Sequence, residues 1–271
     1  MNSLLCCPVC GNPLTFAERS AYCKNGHTYD RAARGGYIHL LRQQRRGSSD
    51  PGDSAEMCQA RTRFLEGGWY APLRNQLAAQ VKQLAPNDIL DAGCGEGWYT
   101  HAISEALPHA RIAGIDLSRY ALRHAGRSCP QAALAIASLF DLPLADQSVD
   151  LVLHLFAPMC APEFARVLRK DGILLTVTPG ARHLWGMKQV LYPVPYENPT
   201  AIRTLPGFVF EEEICVEGEI TLKDCRDIAA LYQMTPYAWK TPREAAERLL
   251  HLPELTTEIS FQLHRYRKVS P

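Results

Sequence analysis

From Asp88 onward the chain alternates short apolar, β-rich runs with longer stretches in which apolar residues recur every three or four positions. The pattern predicts strands at 88–92, 111–116, near 133–137, at 149–155 and at 172–178, with helices at 97–106 and 118–127. Strands alternating with helices predict an α/β, Rossmann-like fold: a parallel sheet with right-handed crossovers that holds ligands at the carboxyl ends of its strands. Two later runs, 208–219 and 256–267, read as strands bracketing a helical stretch near 222–250. Paired as a closing antiparallel hairpin, they complete a seven-stranded sheet. Upstream, Asp53 or Ser54 can cap a helix starting near Ala55, with Glu56 favoured in its first turn, and a second helix covers 73–84.

Before residue 41 the pattern changes. Residues 1–40 lack long apolar runs and are dense in Cys, Gly, Pro, Tyr and His, as expected of a module held together by something other than its core. A linker follows over 41–52, basic from Arg42 and then rich in Gly, Ser, Asp and Pro, and the larger domain occupies 53–271. No internal repeat or low-complexity tract is evident.

Composition sharpens this division. With 271 residues, 46% hydrophobic and 21% charged, the chain has room for one large domain and a small module. A formal net charge of +1 makes no whole-chain case for a polyanionic partner. Residues 1–47, however, carry seven Lys/Arg (Arg19, Lys24, Arg31, Arg34, Arg42, Arg45, Arg46) against Glu18 and Asp30, a local excess of five. No window approaches the roughly 18–20 apolar residues that span a bilayer. We therefore expect a soluble, cytoplasmic protein without membrane partners. Its ten cysteines are then expected to be reduced, so close pairs point to metal or chemistry rather than disulfides.

Cys7-Pro8-Val9-Cys10, then Cys23 and His27, has the spacing C-x2-C-x12-C-x3-H, which suits four ligands around one structural zinc ion. Gly11 and Gly26 permit tight turns beside the ligands, and metal binding would supply folding energy that some forty residues cannot. Cys6 could replace Cys7, but only Cys7–Cys10 has the two-residue gap of a knuckle.

The second constellation is Asp91-Ala92-Gly93-Cys94-Gly95-Glu96-Gly97, a hydrophobic strand ending in a glycine turn before a helix. Its G-x-G-x-G spacing differs from the G-x-G-x-x-G that seats a dinucleotide pyrophosphate. Asp91 would sit badly against a pyrophosphate but suits the cationic amino-acid end of S-adenosylmethionine. Asp116, about twenty residues on at the end of the next strand, can accept both ribose hydroxyls. Ser138 and Leu139, after the third strand, can contact the adenine.

With both constellations in place, the chain resembles, over nearly its full length, the bacterial 23S ribosomal RNA guanine-N1 methyltransferases of the RlmA type. The resemblance rests on the zinc knuckle, Asp50-Pro51-Gly52-Asp53-Ser54-Ala55-Glu56-Met57, Gly68-Trp69-Tyr70, the segment 91–100, Pro179-Gly180-Ala181-Arg182-His183-Leu184 and Gln233-Met234-Thr235-Pro236-Tyr237-Ala238-Trp239. It implies a class I S-adenosylmethionine-dependent methyltransferase with an N-terminal zinc domain that grips RNA. It also implies methylation of N1 of a guanine in hairpin 35 of domain II, at position 745 or the neighbouring 748. Carried over by position, Cys7, Cys10, Cys23 and His27 hold zinc, and Tyr70, Gly93, Gly95, Glu96, Gly97, Asp116 and His183 line the cofactor pocket. Where the resemblance leads one to expect arginine, this chain has His154.

Transfer to guanine N1 also requires removal of its proton. His154 and Phe156, on and just after the fourth strand, are the catalytic candidates: a proton acceptor and a stacking surface for an extruded base. Backbone carbonyls at Phe156 and Ala157, or water, are alternative acceptors. Arginines between 31 and 46 are candidates for phosphate contacts. Two other functions stay open at this point: methylation of a small molecule such as a quinone, or zinc-dependent RNA binding without catalysis. A dehydrogenase is disfavoured by the glycine spacing, and a homodimer is left open.

Overall fold

The computed structural model describes residues 2–42, 52–199 and 204–269. Arg45, Arg46, the Asp50-Pro51 pair and most of the expected linker lie outside the described residues. In chain order the elements are β1 (Asn2–Cys6), β2 (Pro13–Phe16), β3 (Ser20–Tyr22), β4 (Thr28–Asp30), β5 (Ile38–His39), α1 (Ala55–Glu66), α2 (Ala71–Leu84), β6 (Asp88–Ala92), α3 (Trp98–Ala106), β7 (Arg111–Asp116), α4 (Arg119–Ser128) and β8 (Ala133–Ile136). They continue with β9 (Val149–Leu155), α5 (Ala161–Val167), β10 (Leu168–Pro179), α6 (Trp185–Leu191), β11 (Phe208–Leu222), α7 (Cys225–Gln233), α8 (Tyr237–Lys240), α9 (Arg243–Leu250) and β12 (Leu255–Lys268).

Among the described residues the main sheet has eight strands in the order β11-β12-β10-β9-β6-β7-β8-β5. The expected seven are present, with β10, β9, β6, β7 and β8 parallel and β11–β12 as the antiparallel closing hairpin. The eighth comes from the N-terminal segment: β5 pairs parallel with β8 through Ile38↔Ala135 and His39↔Ile136.

Side chains alternate between the two faces of the sheet, as strand geometry requires. Ile89, Leu151, Leu153, Leu175 and Val177 pack with Phe64, Leu73, Leu77, Met187, Ile228 and Leu249 from the helices of one layer. Leu90, Val152 and Leu174 face the other way, against Phe164 and Val167 of α5 and against Leu4, Leu5, Leu14 and Ile38 of the N-terminal segment. The four-stranded antiparallel sheet β1-β2-β3-β4 is thus part of the layer covering the methyltransferase-like sheet. The Cys6 amide donates to the Pro143 carbonyl at 2.7 Å, and Leu5 bridges Leu144. The approach on α4 is closer still: a Cβ at Gly126 would overlap the Gly35 carbonyl, so glycine is what lets the two backbones meet.

Ser54, rather than Asp53, caps α1 by accepting from the Met57 amide at 3.3 Å. Asp53 instead turns to Arg61 at 2.5 Å. Ser118 caps α4 and donates to the Asp53 carbonyl at 2.8 Å, tying the two helix starts together. The stretch near 222–250 is three helices, α7, α8 and α9, interrupted at Pro236 and Pro242 where the ring forbids continuation. The strand expected at 172–178 begins earlier, at Leu168, with Asp171 in a left-handed turn (φ 59°) marking the irregularity. Among the described residues no helix is long and apolar enough to cross a membrane.

Candidate active site and metal centre

At the start of the chain two tight turns face one another. The first holds Cys7 and Cys10, its Gly11 amide donating to the Cys7 carbonyl at 2.8 Å; the second holds Cys23 and His27, with the Gly26 amide on the Cys23 carbonyl at 3.0 Å. The ligand atoms of Cys7, Cys10, Cys23 and His27 all lie within 4.8 Å of one another. Cys10 Sγ is 3.6 Å from Cys23 Sγ, and His27 Nδ1 is 3.5 Å from Cys7 Sγ and 3.4 Å from Cys23 Sγ. Those separations are close to the edge of a zinc tetrahedron, about 3.5–3.8 Å for bonds of roughly 2.0–2.3 Å. Asn12 donates from its side chain to Cys10 Sγ at 3.2 Å, and its backbone and side-chain bonds pull that thiol down to about 6. Tyr29 Oη lies 3.0 Å from Cys7 Sγ. Donor set, spacing and supporting hydrogen bonds therefore fit a closed structural zinc site. Cys6 stands outside this group, its thiol buried at the end of β1 and pushed up by that burial.

The basic residues around the turns are not all free to meet a partner. Arg31 donates to the Gly36 carbonyl at 3.0 Å and the Ala17 carbonyl at 2.9 Å, and lies over the Phe16 ring. It is committed to the module's own backbone. Arg42 is exposed beside Asp141 at 3.7 Å.

The glycine turn sits where β6 ends, in the middle of the main sheet. Gly93, Gly95 and Gly97 have φ of 90°, 53° and 77°, and Gly97 immediately precedes α3 as its N-cap. A Cβ at Gly93 would stand 2.7 Å from Ala157 Cβ, whereas one at Gly95 would meet nothing within 4 Å, leaving open space against the backbone. Asp116 ends β7 and closes the turn: Oδ2 accepts from the Gly95 amide at 3.0 Å and Oδ1 from the Ser118 amide at 2.8 Å. Burial pushes its carboxyl up, while those two amides oppose the shift.

Asp91 is 2% exposed, accepts from Thr100 Oγ1 at 2.6 Å and is pushed up to about 6, mainly by burial. Among the described residues it has that one hydroxyl partner and no paired cation, which suits a buried carboxylate to a cationic ligand group. Glu96 is also buried, and its carboxylate meets Arg61 of α1 at 3.2 Å. Arg61 joins Glu96 to Asp53 and was not singled out by sequence reasoning, because both partners are distant in the chain or on another element. Ser138 and Leu139 follow β8 on the same edge; Leu139 is buried near Gly93, and Ser138 Oγ accepts from the Phe140 amide at 3.1 Å.

An aromatic wall adjoins the Phe156-Ala157 segment that packs against Gly93. Tyr70 Oη is 3.1 Å from His183 Nε2, and the Ser260 amide donates to His183 Nδ1 at 3.2 Å. Because Nδ1 accepts, the ring proton resides on Nε2 and is donated to Tyr70, leaving the phenol proton free for another acceptor. Burial, reinforced by the charge of Lys188, lowers His183 to about 3, so the ring is neutral. Phe261 connects the wall: its ring is 4.8 Å from Tyr70, 4.6 Å from His183 and 5.9 Å from Phe156. Tyr99, in the first turn of α3, keeps a buried hydroxyl with no partner among the described residues.

His154 lies on β9, whereas Phe156 follows the strand's last residue, and the turn there sends the two side chains different ways. Phe156 adopts a left-handed φ of 54°, donates its amide to the Val177 carbonyl at 3.3 Å and leaves its ring 47% exposed. A non-glycine residue keeps such a conformation only where its surroundings fix it. His154 is 5% exposed and packs on Phe164 at 5.3 Å, and among the described residues its ring nitrogens have only the carbonyls of Ala157 and Pro158 near them, without a well-formed hydrogen bond. Burial lowers its pKa, opposed by the carbonyls of Pro158 and Ala157.

A sheet with this strand order, a glycine turn after its central strand, an acidic residue closing the next and a Cys3His ribbon at the amino end define a zinc-containing class I S-adenosylmethionine-dependent methyltransferase. Comparison with known proteins agrees. The "Methyltransferase domain" family model matches residues 89–172, and "RlmA, N-terminal", a zinc ribbon, matches residues 5–49. A 23S rRNA (guanine(748)-N(1))-methyltransferase of Streptomyces fradiae is 35% identical over 275 residues, covering 96% of this chain and 95% of that protein. A Micromonospora griseorubida protein provisionally named a 23S rRNA (guanine-N(1)-)-methyltransferase is 35% identical over 292 residues, covering 97% of each. The chain belongs to the 23S rRNA (guanine-N1)-methyltransferase family. In fold alone it also matches the crystal structure of Bacillus YcgJ, at a TM-score of 0.50 and 15% identity over 73% of this chain and all of that one.

Proposed function

We propose that this protein transfers a methyl group from S-adenosylmethionine to N1 of a guanine in hairpin 35 of 23S ribosomal RNA, acting as a soluble cytoplasmic enzyme. The observation that carries the reading is that both relatives align over the ribbon as well as the methyltransferase sheet, and the structure packs those two parts into one core. A small-molecule enzyme has no need of the ribbon, and a non-catalytic RNA binder no need of the glycine turn with its buried acids.

In this reading Cys7, Cys10, Cys23 and His27 hold zinc, which supplies cross-linking of two turns rather than chemistry. Asp91 receives the cationic amino-acid end of the cofactor, Asp116 the ribose hydroxyls, and Ser138 and Leu139 the adenine edge. Gly93, Gly95 and Gly97 let the ligand approach the backbone, Glu96 is fixed by Arg61, and Tyr70 with His183 closes the remaining side. S-adenosylmethionine supplies a methyl already activated on a cationic sulfur, so the protein's work is alignment. Phe156 presents an exposed ring on which an extruded guanine can stack. His154 is enclosed against Phe164, close to the carbonyls of Ala157 and Pro158. The N1 proton passes to water, which the carbonyls of the 156–158 turn can orient by accepting its hydrogen bonds.

Incubation of the purified protein with methyl-labelled S-adenosylmethionine and a domain II transcript should place label in N1-methylguanosine after nuclease digestion. Label confined to another nucleoside, or to no RNA at all, would contradict the assignment.

A further inference from the structure

Lys188, whose charge helps to keep His183 neutral, is itself fully buried on α6. Burying a cation is costly unless oxygen acceptors or aromatic faces receive it. Its Nζ donates to the Tyr196 carbonyl and to Asn198 Oδ1, each at 2.8 Å, and lies 4.6 Å from the Tyr196 ring centre and 5.9 Å from that of Tyr237. An ammonium can only donate. The amide atom it touches must therefore be the oxygen, and the other end of Asn198 must be the nitrogen. That nitrogen donates to the Gly180 carbonyl at 2.8 Å, while the Asn198 amide donates to the Ala181 carbonyl at 2.9 Å.

Gly180 begins the turn that carries His183. Its carbonyl accepts from Asn198 and also from the His183 amide at 3.1 Å, so both lone pairs are used. Its own amide donates to the Ser260 carbonyl at 2.8 Å, and any Cβ there would overlap Ser260 Oγ. Ser260 in turn donates to His183 Nδ1 at 3.2 Å. The turn is thereby fixed from two sides, by β12 and by the 192–198 segment, and only the second depends on a side chain whose orientation must be chosen.

We propose that Asn198, oriented by the Lys188 ammonium, is a positioning residue of the cofactor pocket, setting the 180–183 turn and with it the hydrogen bond from His183 to Tyr70. This rests on the reading that Tyr70 and His183 wall that pocket. Lysine is required at 188 because an apolar side chain would leave the Asn198 oxygen buried without a donor, favouring a rotamer that gives up the Gly180 carbonyl.

The test is calorimetric titration of S-adenosylmethionine into the full-length, zinc-loaded protein, well below its unfolding transition, with thermal midpoints measured in parallel. Asn198→Asp keeps an acceptor for Lys188, now as an ion pair, but cannot donate to Gly180. It should weaken cofactor binding about tenfold, the worth of one such hydrogen bond, while its midpoint stays well above the titration temperature. Lys188→Met should give a comparable loss of affinity, and the double variant no further loss, because one lock is being broken twice. His183→Ala reports on the underlying reading. If His183→Ala weakens binding while Asn198→Asp leaves it within twofold of the parent, the positioning role is overturned and the pocket stands. If His183→Ala also binds like the parent, the pocket reading falls and this inference falls with it.

Discussion

Asp91 carries the sharpest consequence at the scale of single residues. Its carboxyl is raised to about 6 in the unliganded chain by burial, so it is protonated below that pH and ionised above it. A raised acid costs stability once ionised, and a cationic ligand restores that cost. Affinity for S-adenosylmethionine should therefore rise as pH increases through 6 and level off above it, falling about tenfold per unit on the acid side. Asp91→Asn should bind more weakly at pH 8 and lose most of this dependence. Titrations between pH 5 and 8 decide the matter, and an unchanged profile in the variant would place the cation elsewhere.

Which residues could be recognised from sequence depended on how near their partners lie along the chain. The zinc ligands occupy two short turns, and Asp91 finds Thr100 nine residues on. Tyr70 and His183 stand 113 residues apart and meet only through tertiary packing around Phe261. Without a resemblance to follow, nothing in the local pattern distinguishes them from packing residues, and the same holds for Arg61. His154 was legible as a polar residue on an apolar strand, but its enclosure depends on Phe164 of an element the pattern did not reveal.

At the scale of elements, the strands of the parallel sheet declare themselves because each is buried on both faces, β6 along its whole length. Helices α5 and α6, seven residues each, are too short to establish a 3.6-residue period, and β5, with two residues, has no period at all. The amino ends of the strands are held by a charge network away from the site. Asp88, 4% exposed, accepts from Arg111 at 2.6 Å and Arg169 at 2.7 Å, and Arg169 also pairs with Asp150. Burial pushes the Asp88 carboxyl up, but the two guanidiniums more than offset it and hold it below its ordinary value of 3.8. For an acid depressed in the folded state, the stabilisation is complete above that ordinary value and is lost as pH falls through the lower folded value. Asp88→Asn should cost about 2–3 kcal/mol in urea unfolding at pH 7, with a deficit that shrinks in strong acid and little change in cofactor affinity. A variant as stable as the parent at pH 7 would show the network to be ornamental.

For the whole molecule, the ribbon's place in the core matters more than its place in the sequence. Composition separates residues 1–40 from the rest, yet Leu4, Leu5, Leu14 and Ile38 pack with Leu90 and Val152, and β5 extends the sheet beside β8. Side-chain patterning could not show this, because residues that cover another element's face look the same as residues of an independent small core. Loss of zinc should then be felt beyond the ribbon. Cys10→Ser should bring zinc content well below stoichiometric and lower the single unfolding transition by roughly 5–10 °C, on the order of 3 kcal/mol. Full zinc retention would remove Cys10 from the ligand set.

The ribbon, the buried acids and the exposed ring of Phe156 converge on one claim, methylation of guanine N1 in the large-subunit RNA. Mass mapping of domain II of 23S ribosomal RNA from cells lacking the gene tests it most directly. The account predicts that N1-methylguanine disappears from hairpin 35, that the parent chain restores it and that Asp116→Ala does not. Unchanged N1-methylguanine in cells without the protein would contradict it.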